Sequence, residues 1–319
     1  MAGDVIVTVA LDAALHVSYA AGGLDGENIN PVSRPSYRAG GRGVTAARVL
    51  HSFGHDVLAA GLAGGTAGEL IRDDLARSGV PTAFTMIRGE SRRVFRFAGP
   101  GFPVGRQAAR VLRFGEPGPY ITTEELGRFA ADYRSLLAGA AAMVLCGTLP
   151  DGLPAETYGT LVTYAADAGV PVILDAGGEE LKHAVGHGPD LVVAETGSAD
   201  PGLGPALIRL GAGAVAVATG NLVRAVTASG EWTARLAPEA GDVPPELARG
   251  ALVAGLVPGQ LLGWPWPDRL RHALALAMGG TDDAGPDEPS APGRSPARDH
   301  VDLPVYERLL DAVTVEPPA

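Results

Sequence analysis

Between Ala141 and Ala218 four short, almost wholly apolar runs alternate with helix-forming segments. The runs are Ala141–Cys146, Val170–Asp175, Asp190–Ala194 and Ala214–Ala218, and the helical segments between them are Ala155–Ala168, Glu179–Val185 and Pro205–Leu210. A strand that is apolar on both faces has to be covered on both faces. Strands separated by helices therefore predict a parallel sheet between two helical layers. Val5–Ala10 is a β-branched run of the same kind and ends near Asp12, as expected of a strand that delivers side chains to a site at its carboxyl end.

The chain has the material for a large core, with 46% apolar and 19% charged residues in 319. The reading is one α/β domain over residues 1–319. A net charge of −11 excludes nucleic acid and anionic membrane as main partners, because either would require a basic face, and leaves a small molecule as the expected ligand. Cys146 is the single cysteine, which gives neither a disulfide nor a cysteine metal cluster and suits a reducing cytoplasm. Met1-Ala2-Gly3-Asp4 carries no basic leader and the run behind it is too short to span a bilayer, so a cytoplasmic location is expected.

Two stretches break the strand–helix rhythm. His16–Arg38 and Thr82–Ala98 alternate polar and apolar residues without a helical period, which predicts a small β-sheet flap over one end of the main sheet. Such a flap covers a ligand or pairs with a second subunit. Thr122-Thr123-Glu124-Glu125 is a capping box opening a helix to Leu137. Trp264-Pro265-Trp266-Pro267 reads as surface packing at a helix entry, and the Pro/Gly/Asp-rich residues 281–300 read as a mobile loop.

Gly40-Gly41-Arg42-Gly43 runs directly into an amphipathic helix. Glycines let a ligand approach the main chain, and the helix start offers free N–H groups and a positive dipole end. Arg42 adds a permanently charged fork suited to phosphate or carboxylate. An anion is the natural guest.

The order of the motifs resembles the PfkB/ribokinase family of carbohydrate kinases, in its phosphofructokinase and tagatose-6-phosphate kinase branch. Thr8–His16 resembles that branch's TLNPALD start, Gly40–Thr45 its GGKGIN, Gly89–Arg92 its GETR, Glu116–Pro119 its EPGP, Gly147–Gly152 its GSLPPG and Ile173–Glu179 its ILDTSGE. The resemblance implies a ribokinase-like three-layer α/β/α sandwich with a mainly parallel sheet and a β-flap, or lid. It also implies a phosphosugar under the flap and ATP with Mg²⁺ along the later strands.

The resemblance places the substrate at Asp12, His16, Gly40, Gly41, Arg42, Thr45, Arg92 and Thr148. Within that set Arg42 stands for a lysine, Thr148 for a serine, and Arg92 matches the arginine that reaches the substrate phosphate. Three positions depart: Asp12 and Thr45 for asparagines, and His16 for an aspartate that grips sugar hydroxyls. An imidazole cannot accept two hydroxyl hydrogen bonds as a carboxylate does, so the sugar preference changes; the alternative is a half-buried histidine with only local partners.

The nucleotide half departs further. Val193-Ala194-Glu195 stands where the family has KPN, Ser198 where it has an acid, and Thr219-Gly220 lies in a loop that has lost a glycine. Leu247–Gly255 aligns with GAGDSMVAG, placing Gly250 at the catalytic aspartate and Arg249 beside it. A general base contributes roughly 10²–10⁴ in rate, and Arg249 cannot accept a proton. Asp242, in a local Ala-Gly-Asp, is the one carboxylate that could replace the base, but an Asp before Val243-Pro244-Pro245 also reads as an ordinary N-cap.

Glu195, Thr219, Gly220 and Arg249 are thus a degenerate nucleotide site, no metal ligand set is expected, and ATP–Mg²⁺ belongs only to a catalytic reading. Three functions follow: a non-catalytic phosphosugar-binding protein, a sugar-phosphate kinase using Asp242 or another base, or different chemistry on a phosphorylated small molecule. A homodimer through the flap is implied by the resemblance.

Overall fold

In a computed structural model, residues 5–22, 29–104, 107–195, 200–219, 222–237, 248–279, 301 and 303–316 are described. Asp242, Gly220 and the stretch 281–300 lie outside them.

The first strand, β1 (Val5–Ala10), shows how the layers arise. Its alternate side chains enter two cores: Ile6 and Ala10 join one apolar cluster, Val7 and Val9 the other. Seven strands run parallel in the order β11 (Ala214–Thr219), β10 (Leu191–Glu195), β9 (Val172–Asp175), β8 (Ala140–Cys146), β1, β4 (Val57–Gly64) and β5 (Thr82–Ile87). Three antiparallel strands, β12 (Leu222–Thr227), β13 (Gly230–Leu236) and β14 (Val313–Glu316), extend the β11 edge to a ten-stranded sheet. The strand–helix rhythm does not announce β12 and β13, because they follow β11 through short turns, whereas β14, a strand-like Val313-Thr314-Val315 in the sequence, returns to this edge after α9.

One face is covered by α1 (Arg42–Ser52), α2 (Gly65–Arg77), α7 (Arg249–Leu262), α8 (Trp266–Met278) and α9 (Leu303–Ala312). The other carries α3 (Thr123–Leu137), α4 (Thr157–Asp167), α5 (Gly178–Val185) and α6 (Leu203–Leu210). The result is the expected three-layer sandwich. Thr122 and Glu125 form the expected reciprocal capping box at the start of α3. At the entry to α8, Trp266 stacks on Trp232 and Trp264 packs edge-on to His272. No helix among the described residues is long and apolar enough to cross a membrane.

A second sheet of four strands is ordered β3 (Ser36–Gly40), β2 (Ala14–Ala20), β6 (Arg93–Val104) and β7 (Gln107–Gly115). This corrects the expected flap boundaries. Thr82–Ile87 is β5 of the large sheet, paired in parallel with β4, whereas the flap's second half is the antiparallel β6–β7 pair ending at Gly115. Both segments alternate in polarity because both are half-covered strands, so alternation cannot assign them to a sheet.

A buried ion pair fixes the flap to the body. Asp74 on α2 accepts hydrogen bonds from the Ala39 backbone N–H (2.7 Å) and from Arg48 on α1, and Arg48 also donates to the Ala39 carbonyl (2.6 Å). These contacts hold the last turn of β3 just before Gly40-Gly41. Asp74→Ala would leave Arg48 charged and buried without its carboxylate, a change that typically costs about 3 kcal/mol. We expect a lower guanidinium unfolding midpoint of that size, read by tryptophan fluorescence; a change under about 1 kcal/mol would mean the pair does not fix this junction.

Candidate ligand cleft at the carboxyl ends of the strands

In the register of the large sheet, Ala10 pairs with Cys146 and Cys146 with Asp175, so β1, β8 and β9 end side by side. Asp12, Thr148 and Asp175 therefore lie near one another at the carboxyl ends of the strands, the usual place for a ligand in a parallel sheet. Arg42 opens α1 and Arg249 opens α7 at the same rim.

The first cluster is built on Asp12. Thr148 Oγ1 donates to Asp12 Oδ2 at 2.9 Å, and Arg92 Nε lies 3.0 Å from Asp12 Oδ1. Burial pushes the Asp12 carboxyl above its ordinary value, and this outweighs the opposing pull of Arg92 and Thr148. Gly118 closes over it: a Cβ there would stand 3.1 Å from Asp12 Oδ1. The Gly89–Arg92 motif divides its work. Glu90 accepts from the Ala67 and Thr66 N–H groups at the start of α2 (2.8 and 3.2 Å), Ser91 Oγ accepts from the Gly64 N–H (3.0 Å), and Arg92 alone reaches the cleft.

The second cluster is built on Asp175, whose side chain is wholly buried. One oxygen, Oδ1, takes both Arg42 Nη1 (3.1 Å) and Arg249 Nη2, and the latter also donates to the Val193 carbonyl (3.3 Å). The other, Oδ2, has no hydrogen-bond partner among the described residues. Beside it the Cys146 thiol is pushed up by burial and by the Asp175 charge, which leaves it an inert, protonated group. Tyr158 Oη donates to the Gly147 carbonyl (3.2 Å) and steadies the turn between the two clusters.

Arg42 and Arg249, assigned by sequence to different ligands, thus meet on one carboxylate. In the sequence Asp175 stands only within the Ile173–Glu179 motif. Its signal was an aspartate closing an otherwise apolar strand, Val172–Asp175.

The remaining residues fall into place around these clusters. Gly41 enters α1 with φ 112°, a conformation that favours glycine, and this helix start has no side-chain cap. The His16 ring lies against Gly40, where a Cβ would come within 2.3 Å of Nε2, so the imidazole occupies the space directly above that glycine. Thr45 is half-buried. It packs under α7, where a Cβ on Gly250 would meet Thr45 Cβ at 2.5 Å and the Arg42 carbonyl oxygen at 2.6 Å. Thr219 ends β11 and Glu195 ends β10.

The described part of this cleft shows how its carboxylates are already used. Among the described residues no group of three His, Cys, Asp or Glu could hold a metal ion. Both buried carboxylates are already joined to guanidinium groups, which disfavour a neighbouring cation. No side chain larger than hydrogen fits at position 250 without moving α1 or α7.

The profile of the pfkB family carbohydrate kinases matches residues 9–196. The chain belongs to this family. Tagatose-6-phosphate kinase of Staphylococcus epidermidis is 32% identical over 180 residues, 56% of this chain and 56% of that protein, so the matched part spans little more than half the relative's length. Among solved structures, a Thermotoga maritima protein designated possible 1-phosphofructokinase superposes with TM-score 0.78 at 20% identity, covering 99% of this chain and 100% of that one. Phosphofructokinase-2 of Escherichia coli, in complex with substrates and products, gives 0.76 at 18%, covering 97% and 98%. These likenesses establish the ribokinase-like fold expected from the motifs.

The packing at Gly250 generates a test. In a helix interior, glycine to alanine ordinarily gains about 1 kcal/mol, whereas overpacking costs about 1–3 kcal/mol. A carbonyl oxygen and a β-carbon cannot swing aside as the end of a flexible chain would, so Gly250→Ala is expected to destabilise the PfkB-family chain by about 1–2 kcal/mol in urea unfolding. A gain in stability would mean that α1 and α7 are not closed at this point.

Proposed function

We propose that this PfkB-family chain binds a phosphorylated sugar and does not transfer phosphate from ATP. The observation that carries the reading is the packing of Gly250 against Thr45 and the Arg42 carbonyl, at the position that the resemblance of Leu247–Gly255 to GAGDSMVAG would give to the catalytic aspartate. Phosphoryl transfer needs metal-held phosphates, donors aimed at developing charge and a base at the acceptor hydroxyl. The described rim offers instead an arginine, Arg249, tied to Asp175.

The acceptor side supports ligand binding. Arg42 and Arg92 each contact a carboxylate and keep further N–H groups, with 28% and 27% of their side chains exposed. These, the uncapped start of α1 and the Thr148 hydroxyl are suited to the phosphate and hydroxyls of a ligand such as fructose 6-phosphate or tagatose 6-phosphate. Asp12 holds the affinity down, since its carboxylate already occupies Arg92.

Calorimetric titration with fructose 6-phosphate, fructose 1-phosphate, tagatose 6-phosphate and ATP–Mg²⁺ tests the reading. It requires binding of at least one phosphosugar and no ADP formation above background in a coupled assay. Turnover at ordinary kinase rates would overturn it and point to Asp242 or another base. Asp12→Asn should tighten phosphosugar binding roughly tenfold, because it removes a like charge beside the ligand while keeping an acceptor for Thr148.

The flap supports a homodimer. On the face opposite His16, Tyr19 stacks on Phe97 (5.2 Å) and Phe97 meets Phe114 edge-on (6.0 Å), while Phe114 and Tyr37 are 56% and 44% exposed. Sedimentation should show a dimer that Phe114→Glu shifts to monomer.

A further inference from the structure

A second cavity lies at the far end of the helical layer. From Arg249 at the ligand cleft, α7 runs 14 residues, roughly 20 Å, to the turn at Gly263 that leads into Trp264. There α8, α9 and the start of β14 frame a cavity of about 550 Å³. Its floor is aromatic. Trp264, His272 and Tyr306 are half-buried, and Trp264 and Tyr306 each meet the His272 ring edge-on with centroids 5.6 Å apart. Phe53, at the end of α1, packs edge-on against both His272 and Tyr306 and holds the rings in place. Of the two tryptophans at this turn, Trp266 is engaged by Trp232 and by Arg269, whose guanidinium lies 4.8 Å from its ring centre, whereas Trp264 lines the cavity.

The polar atoms of this floor are engaged with each other. His272 Nδ1 and Tyr306 Oη share a 2.6 Å hydrogen bond, and burial, with His55 alongside, pushes the imidazole down to about 4, so it is uncharged at neutral pH. The floor therefore offers ring surface and no charge. The rim is negative. Asp268, Arg271 and Asp311 stand exposed around it; Arg271 Nη1 lies 3.7 Å from Asp268, and Asp311 has no ionic partner among the described residues. Glu307 adds a further negative charge beside Tyr306, whose hydroxyl it helps to hold above its ordinary value after burial. A ring face attracts a cation, most strongly at tryptophan, and the Asp311 carboxylate attracts the same guest. An anion would meet Asp311 and Glu307 and find only an arginine that already has a carboxylate.

We propose that this cavity is a second binding site, for a small organic cation: an amine carried on a short aromatic or apolar body. The ammonium group sits between Asp311 and the faces of Trp264 and Tyr306, and the body lies against Leu310 and Val313. Asp268 keeps Arg271 turned to itself and so keeps that guanidinium from the incoming cation. The site shares no residue with the cleft at the strand ends, and the proposal does not depend on the phosphosugar reading. No bond is made or broken.

The test is a ligand-observed NMR titration of the full chain at pH 7 with phenethylamine, 2-phenylethanol and phenylacetate, which share a ring and a short spacer and are cationic, neutral and anionic. We expect the amine to bind roughly fivefold more tightly than the alcohol, the amount that one charge contact supplies in water, and phenylacetate to bind most weakly. Asp311→Asn should bring the amine down to the level of the alcohol, and Asp311→Lys should place it below. Fructose 6-phosphate should not displace the amine. Phenylacetate binding as tightly as the amine overturns the inference, as does amine binding that Asp311→Asn leaves unchanged, displacement by fructose 6-phosphate, or no binding by any of the three at millimolar concentration. If neither Asp311 variant folds, the wild-type ratio of amine to alcohol decides, and a ratio near one overturns the inference.

Discussion

Asp175 is the point on which the cleft depends. Two helices, α1 and α7, bring their positive ends and a guanidinium each to the carboxyl edge of the sheet, an arrangement that repels itself. A wholly buried carboxylate at the end of β9 offsets that repulsion with one oxygen shared by both arginines. Because the carboxylate sits at the end of a strand that the sheet holds on both sides, the helix starts are located relative to the sheet and not merely to each other. The closeness of α1 and α7 at Gly250 then follows: with the charges tied down, the backbones can approach until only glycine fits.

Asp12 obeys the same physics with a different outcome. It too is a buried carboxylate beside a guanidinium, and its hydroxyl donor Thr148 adds a further favourable contact. Burial nevertheless raises its proton affinity, because one arginine contact and one hydroxyl do not replace the water lost. The two carboxylates therefore hold the arginines of the cleft in two places, Arg92 at Asp12 and Arg42 with Arg249 at Asp175.

The sheet was legible in the sequence wherever a strand is covered on both faces, since Val172–Asp175 or Ala214–Thr219 can be apolar throughout only there. The flap was legible in kind but not in extent. Thr82–Ile87 and Arg93–Gly115 have the same two-sided character, and what separates them is pairing with β4 or with β2, a long-range choice that no local pattern encodes. The cleft was legible as a set of residue types: Asp12, Arg42, Arg92 and Thr148 do gather at the strand ends. Their partnerships were not legible. That Arg249 meets Arg42, residues 207 positions apart by number (249 − 42), depends on where α7 lands on α1. Asp175, which joins them, looks in sequence like a polar residue ending a strand.

The packing at position 250 differs from an empty space left by a missing side chain. Had only a carboxylate been removed, a cavity would remain, and replacing the group would refill it. Here the space is taken by the Arg42 carbonyl and Thr45, and the neighbouring residue has turned a guanidinium onto Asp175. A carboxylate at 250 would have to push α7 away from α1, and that movement would draw Arg249 from Asp175 and strand a buried negative charge. Sterics and electrostatics therefore oppose the same substitution through the same pair of helices.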